Sequence, residues 1–155
     1  MSSASEDPEG SSDETAGGLL DESQWPITGL HHVRIPVSDS WASRDWYSTV
    51  LGFVPVLDFE EELGPTGVVL RHPIGLVVGL HQDPARAVSL RGFAVLSLAV
   101  ADRQQLEQWA DHLDTRTIPH GSVREGHLGP YIEVPDPDGI IVRFHSGPAP
   151  YSEEA

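Results

Sequence analysis

Two stretches of the sequence match two others in the same order, and this internal repeat limits the possible fold more than any other feature. The segment LHHVRIPVSD at 30–39 aligns without gaps on FAVLSLAVAD at 93–102. Further along, 70–81 aligns on 134–145 at nearly the same spacing. Chance can supply one such match, but two in the same order indicate a duplicated structural unit.

The first stretch of each copy predicts a β-strand that buries one face. Every second residue is apolar, which is the period of a half-buried strand. These apolar residues are Val33, Ile35, Val37, Leu96, Leu98 and Val100. The opposite face carries His32, Arg34, Pro36, Val95, Ser97 and Ala99. That second face is therefore expected to look away from the core.

A capping residue and a helical segment follow each strand. Asp39 and Asp102 are of the type that caps a helix N-terminus, and apolar residues then recur at helical spacing over 41–51 and 103–113. Later in the second copy, the segment DPDG predicts a turn, because Pro presets φ and Asp-Gly tolerates a positive φ. The repeat is thus a strand, a helix and a meander of about three strands.

Charge and composition exclude several classes of partner and site. The 24 acidic residues outnumber nine basic ones, all Arg, for a net charge of −15, so we expect no nucleic-acid partner. Anionic lipid would be repelled in the same way, and no run of about 18 apolar residues is present to span a membrane. The absence of Cys removes disulfides and thiolate chemistry.

The two ends of the chain differ in composition from the part that carries the repeat. Residues 1–24 are mostly Ser, Gly and acids, a mixture that predicts a disordered acidic tail. The expected domain is 25–147, with module one at about 27–85 and module two at about 91–146, and 148–155 form a short acidic tail. Because MSSASEDPEG resembles no secretory signal, we expect a cytoplasmic protein.

The segments 32–39, 46–47, 50–53 and 136–139 resemble those of the vicinal oxygen chelate superfamily, which includes glyoxalases, bleomycin resistance proteins and extradiol dioxygenases. The similarity runs from Ile27 to His145. It implies an α+β fold of two tandem βαβββ modules, whose mixed sheet forms a cup with the helices outside. It also implies a homodimer and, in many members, a divalent metal inside the cup.

The metal positions that the resemblance implies are the inward residues of the first and last strands of each module: His32, Gly79, Val95 and Arg143. Only His32 has a side chain that binds metals. A dication held about 5 Å from the Arg143 charge would be repelled by roughly 6 to 7 kcal/mol at an effective dielectric near 20. The sequence therefore predicts that the usual metal site is degenerate.

Three histidines of the predicted cup leave a metal site open as an alternative. Alternation along the closing strands places His81 and His145 on the same face as His32. Together they are suited to Zn, Ni, Co or Fe. The other interpretation is that His81 and His145 cap hydrogen bonds near the rim without meeting His32.

Two arginines and two further polar residues are predicted to line the cup. Arg34 and Arg143 are candidates to bind an anionic or carbonyl-rich ligand, although an ion pair with Glu133 or the 60–62 glutamate run is the alternative for Arg143. Tyr131 and Glu133 share a strand face, where Glu133 and His32 are candidates for general acid/base catalysis. Ser97, His81, Tyr131 and His145 complete the predicted ligand-binding set.

The leading hypothesis is a protein that binds a small molecule in the cup, either to sequester it or to act on it by metal-free acid/base catalysis. We favour binding because neither a nucleophile constellation nor paired carboxylates are visible. The alternative is a divalent-metal-dependent enzyme of the glyoxalase or dioxygenase type, with its site rebuilt from His32, His81 and His145.

Overall fold

The computed structural model describes residues 24–60 and 66–150. The chain divides into two compact units, residues 1–30 and 31–155. In the first unit, residues 24–30 contain turns and bends but neither helix nor strand. Most of the predicted acidic tail (1–23), the end of the glutamate run and 151–155 lie outside the described residues.

The second unit repeats the order strand, helix and three strands, as predicted. Module one consists of β1 (Val33–Val37), α1 (Ser40–Leu51), β2 (Val54–Glu60), β3 (Thr66–Arg71) and β4 (Val77–Gln82). After α2 (Pro84–Ser89), module two consists of β5 (Ala94–Val100), α3 (Arg103–Thr115), β6 (Arg124–Gly126), β7 (Gly129–Pro135) and β8 (Ile141–Ser146).

Each module forms its own four-stranded mixed sheet. The strand orders are β1-β4-β3-β2 and β5-β8-β7-β6, with the first pair parallel and the others antiparallel. Among the described residues, no strand pairing joins the two sheets. Equivalent residues of the two modules pair in the same register. For example, Arg34 lies opposite Gly79, and the aligned Ser97 lies opposite the aligned Arg143. This confirms the predicted α+β fold of tandem βαβββ modules.

One face of each sheet packs against the helix of its own module. Helix α1 contacts β2, β3 and β4, whereas α3 contacts β5, β7 and β8. The predicted alternation of β1 is confirmed, because Ile35 and Val37 are fully buried while Arg34 is exposed. We call the face that carries Arg34 in module one, and its equivalent Ser97 in module two, the open face.

The helix boundaries follow the predicted capping residues. The Asp39 carboxylate accepts from the backbone N–H groups of Trp41 and Ala42, and that of Asp102 accepts from Gln105. Gly52 ends α1 with a φ of 81°, in the left-handed region that favours glycine. None of the helices in the described ranges is long and apolar enough to cross a membrane.

The short helix α2 was not predicted, although its start has a readable signal. Asp83 caps it by accepting from the backbone N–H of Arg86, and Pro84 occupies the first turn, where a missing N–H costs nothing. With only six residues, it is too short for a helical period to be recognised. Its importance is positional, because it lies beside β1.

Helix α1 receives contacts from one turn of each module. From the turn of module two, Asp136 Oδ2 accepts from the hydroxyl of Tyr47 on α1 at 2.9 Å, and both side chains are buried. In module one, His72 takes the aligned position, and its Nε2 lies 3.0 Å from the Leu51 carbonyl. The Asp-Pro-Asp-Gly turn therefore does more than reverse the chain, since it connects the two modules.

Candidate functional site

A histidine on the open face of module one contacts an arginine and a phenylalanine from two other strands. Arg34 Nη2 on β1 donates to His81 Nδ1 on β4 at 2.7 Å. Because a guanidinium has no acceptor, Nδ1 must accept, and a neutral His81 ring carries its proton on Nε2. The ring of Phe59 on β2 lies 4.9 Å from the His81 ring. These contacts fix the histidine ring beside the arginine.

Gly67 makes room for Phe59 to reach His81. Gly67 lies directly opposite both Phe59 and His81 in the sheet, and a Cβ at this position would overlap the Phe59 ring and the Leu80 carbonyl oxygen. The space therefore exists only because residue 67 has no side chain. An aromatic residue of the neighbouring strand fills it.

A cavity of about 540 Å³ adjoins this cluster. Its charged lining residues are Arg34, Asp83 and Arg86. Arg86 pairs with Asp83 at 3.1 Å, but among the residues the structure describes no carboxylate pairs with Arg34. Arg34 is therefore a cation of the cavity lining that a ligand anion can bind without displacing a described carboxylate of the protein.

The arginine of module two is neutralised inside the protein. Arg143 Nε donates to Glu133 Oε2 at 3.0 Å, and both side chains are partly buried. The guanidinium also lies over the Tyr131 ring, 4.4 Å from its centroid. This is the ion pair that the sequence offered as the alternative for Arg143. The structure thus brings Glu133, Tyr131 and Arg143 together, and the three side chains contact one another.

His145 lies beside this group on the open face of module two. Its ring stacks on Tyr131, with centroids 5.2 Å apart. Burial, and secondarily the Arg143 charge, lower the pKa of His145 below the ordinary histidine value. Its Nδ1 is buried and has no hydrogen-bond partner among the described residues. The imidazole is therefore held in its neutral form at neutral pH.

His32 stands apart from both clusters in its contacts. It is exposed, and its Nδ1 lies 2.8 Å from Nδ1 of His31. Within 24–60 and 66–150, no three His, Asp or Glu side chains come close enough together to hold a metal ion. Ser97 is exposed on β5 and lines a smaller cavity that includes His145.

The residues at the four metal positions that the resemblance implies do not fit a divalent ion. A Cβ at Gly79 would meet His81 Nε2 at 3.4 Å and Arg34 Cγ at 3.9 Å, so position 79 faces the arginine cluster. Val95 has no ligating atom, and Arg143 brings a positive charge held by Glu133. The donor set for a dication is therefore missing from three of the four positions.

Sequence reasoning missed Phe59 and Arg86 as parts of the module-one site. Phe59 reaches the open face after a register shift between Pro55 and Leu57, which simple alternation does not foresee. Arg86 lines the cavity from α2. The Asp-Pro pair at 83–84 was the available signal for that helix.

The chain matches a protein-family model over most of its length. The model described as Glyoxalase/Bleomycin resistance protein/Dioxygenase superfamily matches residues 29–144. No curated protein sequence matches the chain.

Several solved structures share the fold at low sequence identity. The antibiotic binding protein TnmS3 from Streptomyces sp. CB03234 is 21% identical, with a TM-score of 0.64 over 79% of this chain and 98% of that one. The fosfomycin resistance protein FosX from Listeria monocytogenes is 13% identical, with a TM-score of 0.64 over 79% and 95%. Lactoylglutathione lyase from Agrobacterium tumefaciens is 18% identical, with a TM-score of 0.59 over 79% and 96%.

Proposed function

Because the chain belongs to the glyoxalase, bleomycin resistance protein and dioxygenase superfamily, we propose that it binds a small anionic or carbonyl-rich organic molecule on its open face. In this proposal, arginine takes the part that a divalent metal has in many relatives. The observation that carries it is Arg34, which lines a cavity of about 540 Å³ and pairs with no carboxylate of the described residues.

The size and charge of the module-one cavity support such a ligand. Cavities that bind small molecules usually measure about 300 to 1,000 Å³, and about 540 Å³ lies within that range. Two arginines and one aspartate give its lining a formal charge of +1 (2 − 1), in a chain whose net charge is −15. An anion is repelled elsewhere and attracted here, so the site is selective by electrostatics.

Hydrogen bonding within the cluster supports recognition of a carboxylate or carbonyl oxygen. His81 occupies one donor of Arg34, and a guanidinium has five N–H donors in a planar fork. The remaining donors are suited to a bidentate contact with two ligand oxygens. The His81 contact then orients the fork, which lowers the entropy lost when the ligand binds.

Binding is better supported than catalysis. The predicted acid/base pair is His32 and Glu133, but His32 contacts His31 and Glu133 holds Arg143. Each of the two groups is thus bound to a partner of its own, and the two are not brought together as an acid/base pair. The similarity to TnmS3, described as an antibiotic binding protein, agrees with a binding role. FosX from Listeria monocytogenes, whose variant was solved with Mn(II) and a phosphonic acid, represents the metal-dependent alternative.

We also infer that the protein is a homodimer. Strand β2 is an edge strand, and its Val54, Val56 and Leu57 side chains are 49, 51 and 59% exposed. An apolar edge strand left open invites pairing with another chain. Light scattering at micromolar concentration is expected to give the dimer mass. The cytoplasmic location stays a prediction, for which cell fractionation is the test.

The test of the binding proposal is a calorimetric titration with carboxylates, 2-oxo acids and aromatic antibiotics, supported by thermal shift. A ligand at 100 times its Kd adds about 2.7 kcal/mol of stability, so the Tm should rise by several degrees. Arg34→Gln should reduce the rise by about half or more at the same ligand concentration, whereas Arg71→Gln, an exposed arginine at the end of β3, should leave it unchanged. If no anion shifts the Tm, or if both variants behave alike, the proposal is wrong.

Elemental analysis of protein purified without chelator tests the alternative separately. The proposal expects no stoichiometric transition metal. A bound Zn, Ni, Co or Fe that is lost in His32→Ala would establish the rebuilt metal site instead.

A further inference from the structure

Module two has a smaller cavity of its own, of about 120 Å³, beside His145. Ser97, Leu128, Pro148 and Pro150 are among its lining residues. A water molecule occupies about 30 Å³ of liquid, and an apolar cavity of about 150 Å³ accommodates benzene. The cavity therefore suits one small ring or a group of similar size.

This cavity occupies the position in module two that the large cavity occupies in module one. His81 and His145 are aligned in the repeat, and each lines the cavity of its module. The charged residues of module one are exchanged at the aligned positions, since Arg34 becomes Ser97, Asp83 becomes Gly147 and Arg86 becomes Pro150. No described residue that lines the smaller cavity carries a formal charge. The repeat has kept the histidine and removed the charges around it.

The histidine in this cavity has a nitrogen available for a ligand. Tyr131 covers one face of the His145 ring at a centroid distance of 5.2 Å. Among the described residues, Nδ1 is buried without a partner, whereas Nε2 has no hydrogen-bond partner either and is not among the buried atoms, so it is accessible. Burial, followed by the nearby Arg143 charge, lowers the pKa of His145. A neutral imidazole offers a donor or an acceptor to a ligand without requiring a ligand charge.

We propose that the cavity of module two binds a neutral ring that bears a hydroxyl group, with phenol as the simplest example. His145 Nε2 and the Ser97 hydroxyl are the hydrogen-bonding partners, and Leu128 with the two prolines contacts the ring. An anion is disfavoured because no described lining residue is a cation and Arg143, on the same strand as His145, is paired with Glu133 at 3.0 Å. A ring without a hydroxyl is disfavoured because it covers the imidazole nitrogen and leaves it unpaired. This site goes beyond the proposed anion site and does not depend on it.

The experiment is an NMR titration of the full-length protein with phenol and, in parallel, with benzene. Phenol should shift the backbone amides of Ser97, Leu128 and Ala149, and should bind about three- to tenfold more tightly than benzene, as expected for one net hydrogen bond. His145→Phe should abolish this preference. It removes a buried nitrogen that has no partner, so the variant is expected to fold. His112→Phe, an exposed histidine on α3, is the matched control and should keep the preference.

Two further variants make the outcome decisive. Ser97→Ala should weaken phenol binding by about two- to threefold, and Arg34→Gln should leave it unchanged. The proposal is overturned if phenol causes no shifts, if benzene binds equally well, or if the His145 variant keeps the preference. Loss of phenol binding in Arg34→Gln would also overturn it, because phenol would then occupy the module-one cavity. Failure of anions to bind would refute the proposed function alone.

Discussion

The two modules bring the same three kinds of side chain together on their open faces, but from different strands and with different charge balance. In module one, Arg34 on β1 contacts His81, and the aromatic ring comes from Phe59 on β2. In module two, Arg143 and His145 share β8, and the ring comes from Tyr131 on β7. Tyr131 stands at the register position of Gly67, so the ring beside the histidine comes from the adjacent strand in module two and from one strand further away in module one.

The difference that matters for function is the carboxylate. Glu133 lies opposite Arg143 in the sheet and pairs with it. The equivalent pair in module one is Val69 opposite Gly79, which has neither charge. Arg34 of module one therefore pairs with no described carboxylate, whereas Arg143, beside His145 in module two, is paired with Glu133. The two modules thus keep the sheet register while single side chains change, so the charge balance of their open faces differs.

The largest expected effect comes from the turns that contact α1. Asp136→Ala leaves the Tyr47 hydroxyl and the backbone N–H groups of Asp138 and Ile140 without their acceptor, which should lower the free energy of unfolding by about 3 kcal/mol or more. His72→Ala, at the aligned turn, should cost only about 1 kcal/mol. Urea unfolding measures both. Equal losses would mean that the two turns are equivalent in energy.

The second effect is on affinity for the module-one anion. Arg34→Gln should weaken binding by about 10- to 100-fold, as expected for hydrogen bonds to a charged group. Arg143→Gln should change affinity by less than about threefold and lower stability by about 1 kcal/mol, because Glu133 loses its partner. Calorimetry on both variants checks the contrast. The reverse order of losses would assign the anion to module two.

A third, smaller effect concerns the glycines under the aromatic rings. At Gly67 a Cβ meets both the Phe59 ring and backbone, so Gly67→Ala should cost about 1 to 3 kcal/mol and weaken anion binding by displacing Phe59 from His81. At Gly126 a Cβ meets the Tyr131 ring at 2.8 Å, but the nearest backbone atom, the Gly129 carbonyl oxygen, is 3.5 Å away. Gly126→Ala should therefore cost less. Similar losses would show that the two aromatic arrangements are equally rigid.

The smallest effect is a difference in titration between two histidines of module two. Burial is the largest influence on His120 and lowers its pKa, but hydrogen bonds to the Gly121 carbonyl and to Asp114 together raise it above the ordinary value. Its contribution to stability is thus complete below about pH 6.5 and is lost as the pH rises through the raised pKa. For His145 the sign is opposite, because its pKa is lowered in the folded protein. Its contribution to stability is complete above about pH 6.5 and is lost as the pH falls through the lowered pKa.

Proton NMR of the histidine rings should separate the two midpoints, with His120 above His145. The effect on stability should be below about 1 kcal/mol for each ring. His120→Gln and His145→Phe should each remove one of the two trends. A His145 midpoint at or above that of His120 would contradict the neutral cavity of module two.

The fold was predictable because its signals are local. The period of β1 and β5, the capping aspartates and Gly52 all act within a few residues of where they stand, so pattern alone located both modules. Helix α2 was not predicted because six residues are too few to show a helical period.

The site was less predictable because its contacts join residues that are distant in sequence. Alternation correctly placed Arg34, His81, Arg143 and His145 on open faces. It did not predict that Phe59 would fold over Gly67, since this contact depends on strand pairing and on an irregular register in β2. It also left two interactions open for Arg143, an ion pair with a carboxylate and a contact with a ligand, because both require the same strand face.

The most direct test of the central claim, an anion site in module one that does not need a metal, is an NMR titration with pyruvate in the presence of a chelator. The account predicts saturable shifts of the Arg34, His81 and Leu90 amides that persist with chelator and need about 10- to 100-fold more pyruvate in Arg34→Gln. Shifts confined to Glu133 and Arg143, or shifts that the chelator abolishes, would contradict it.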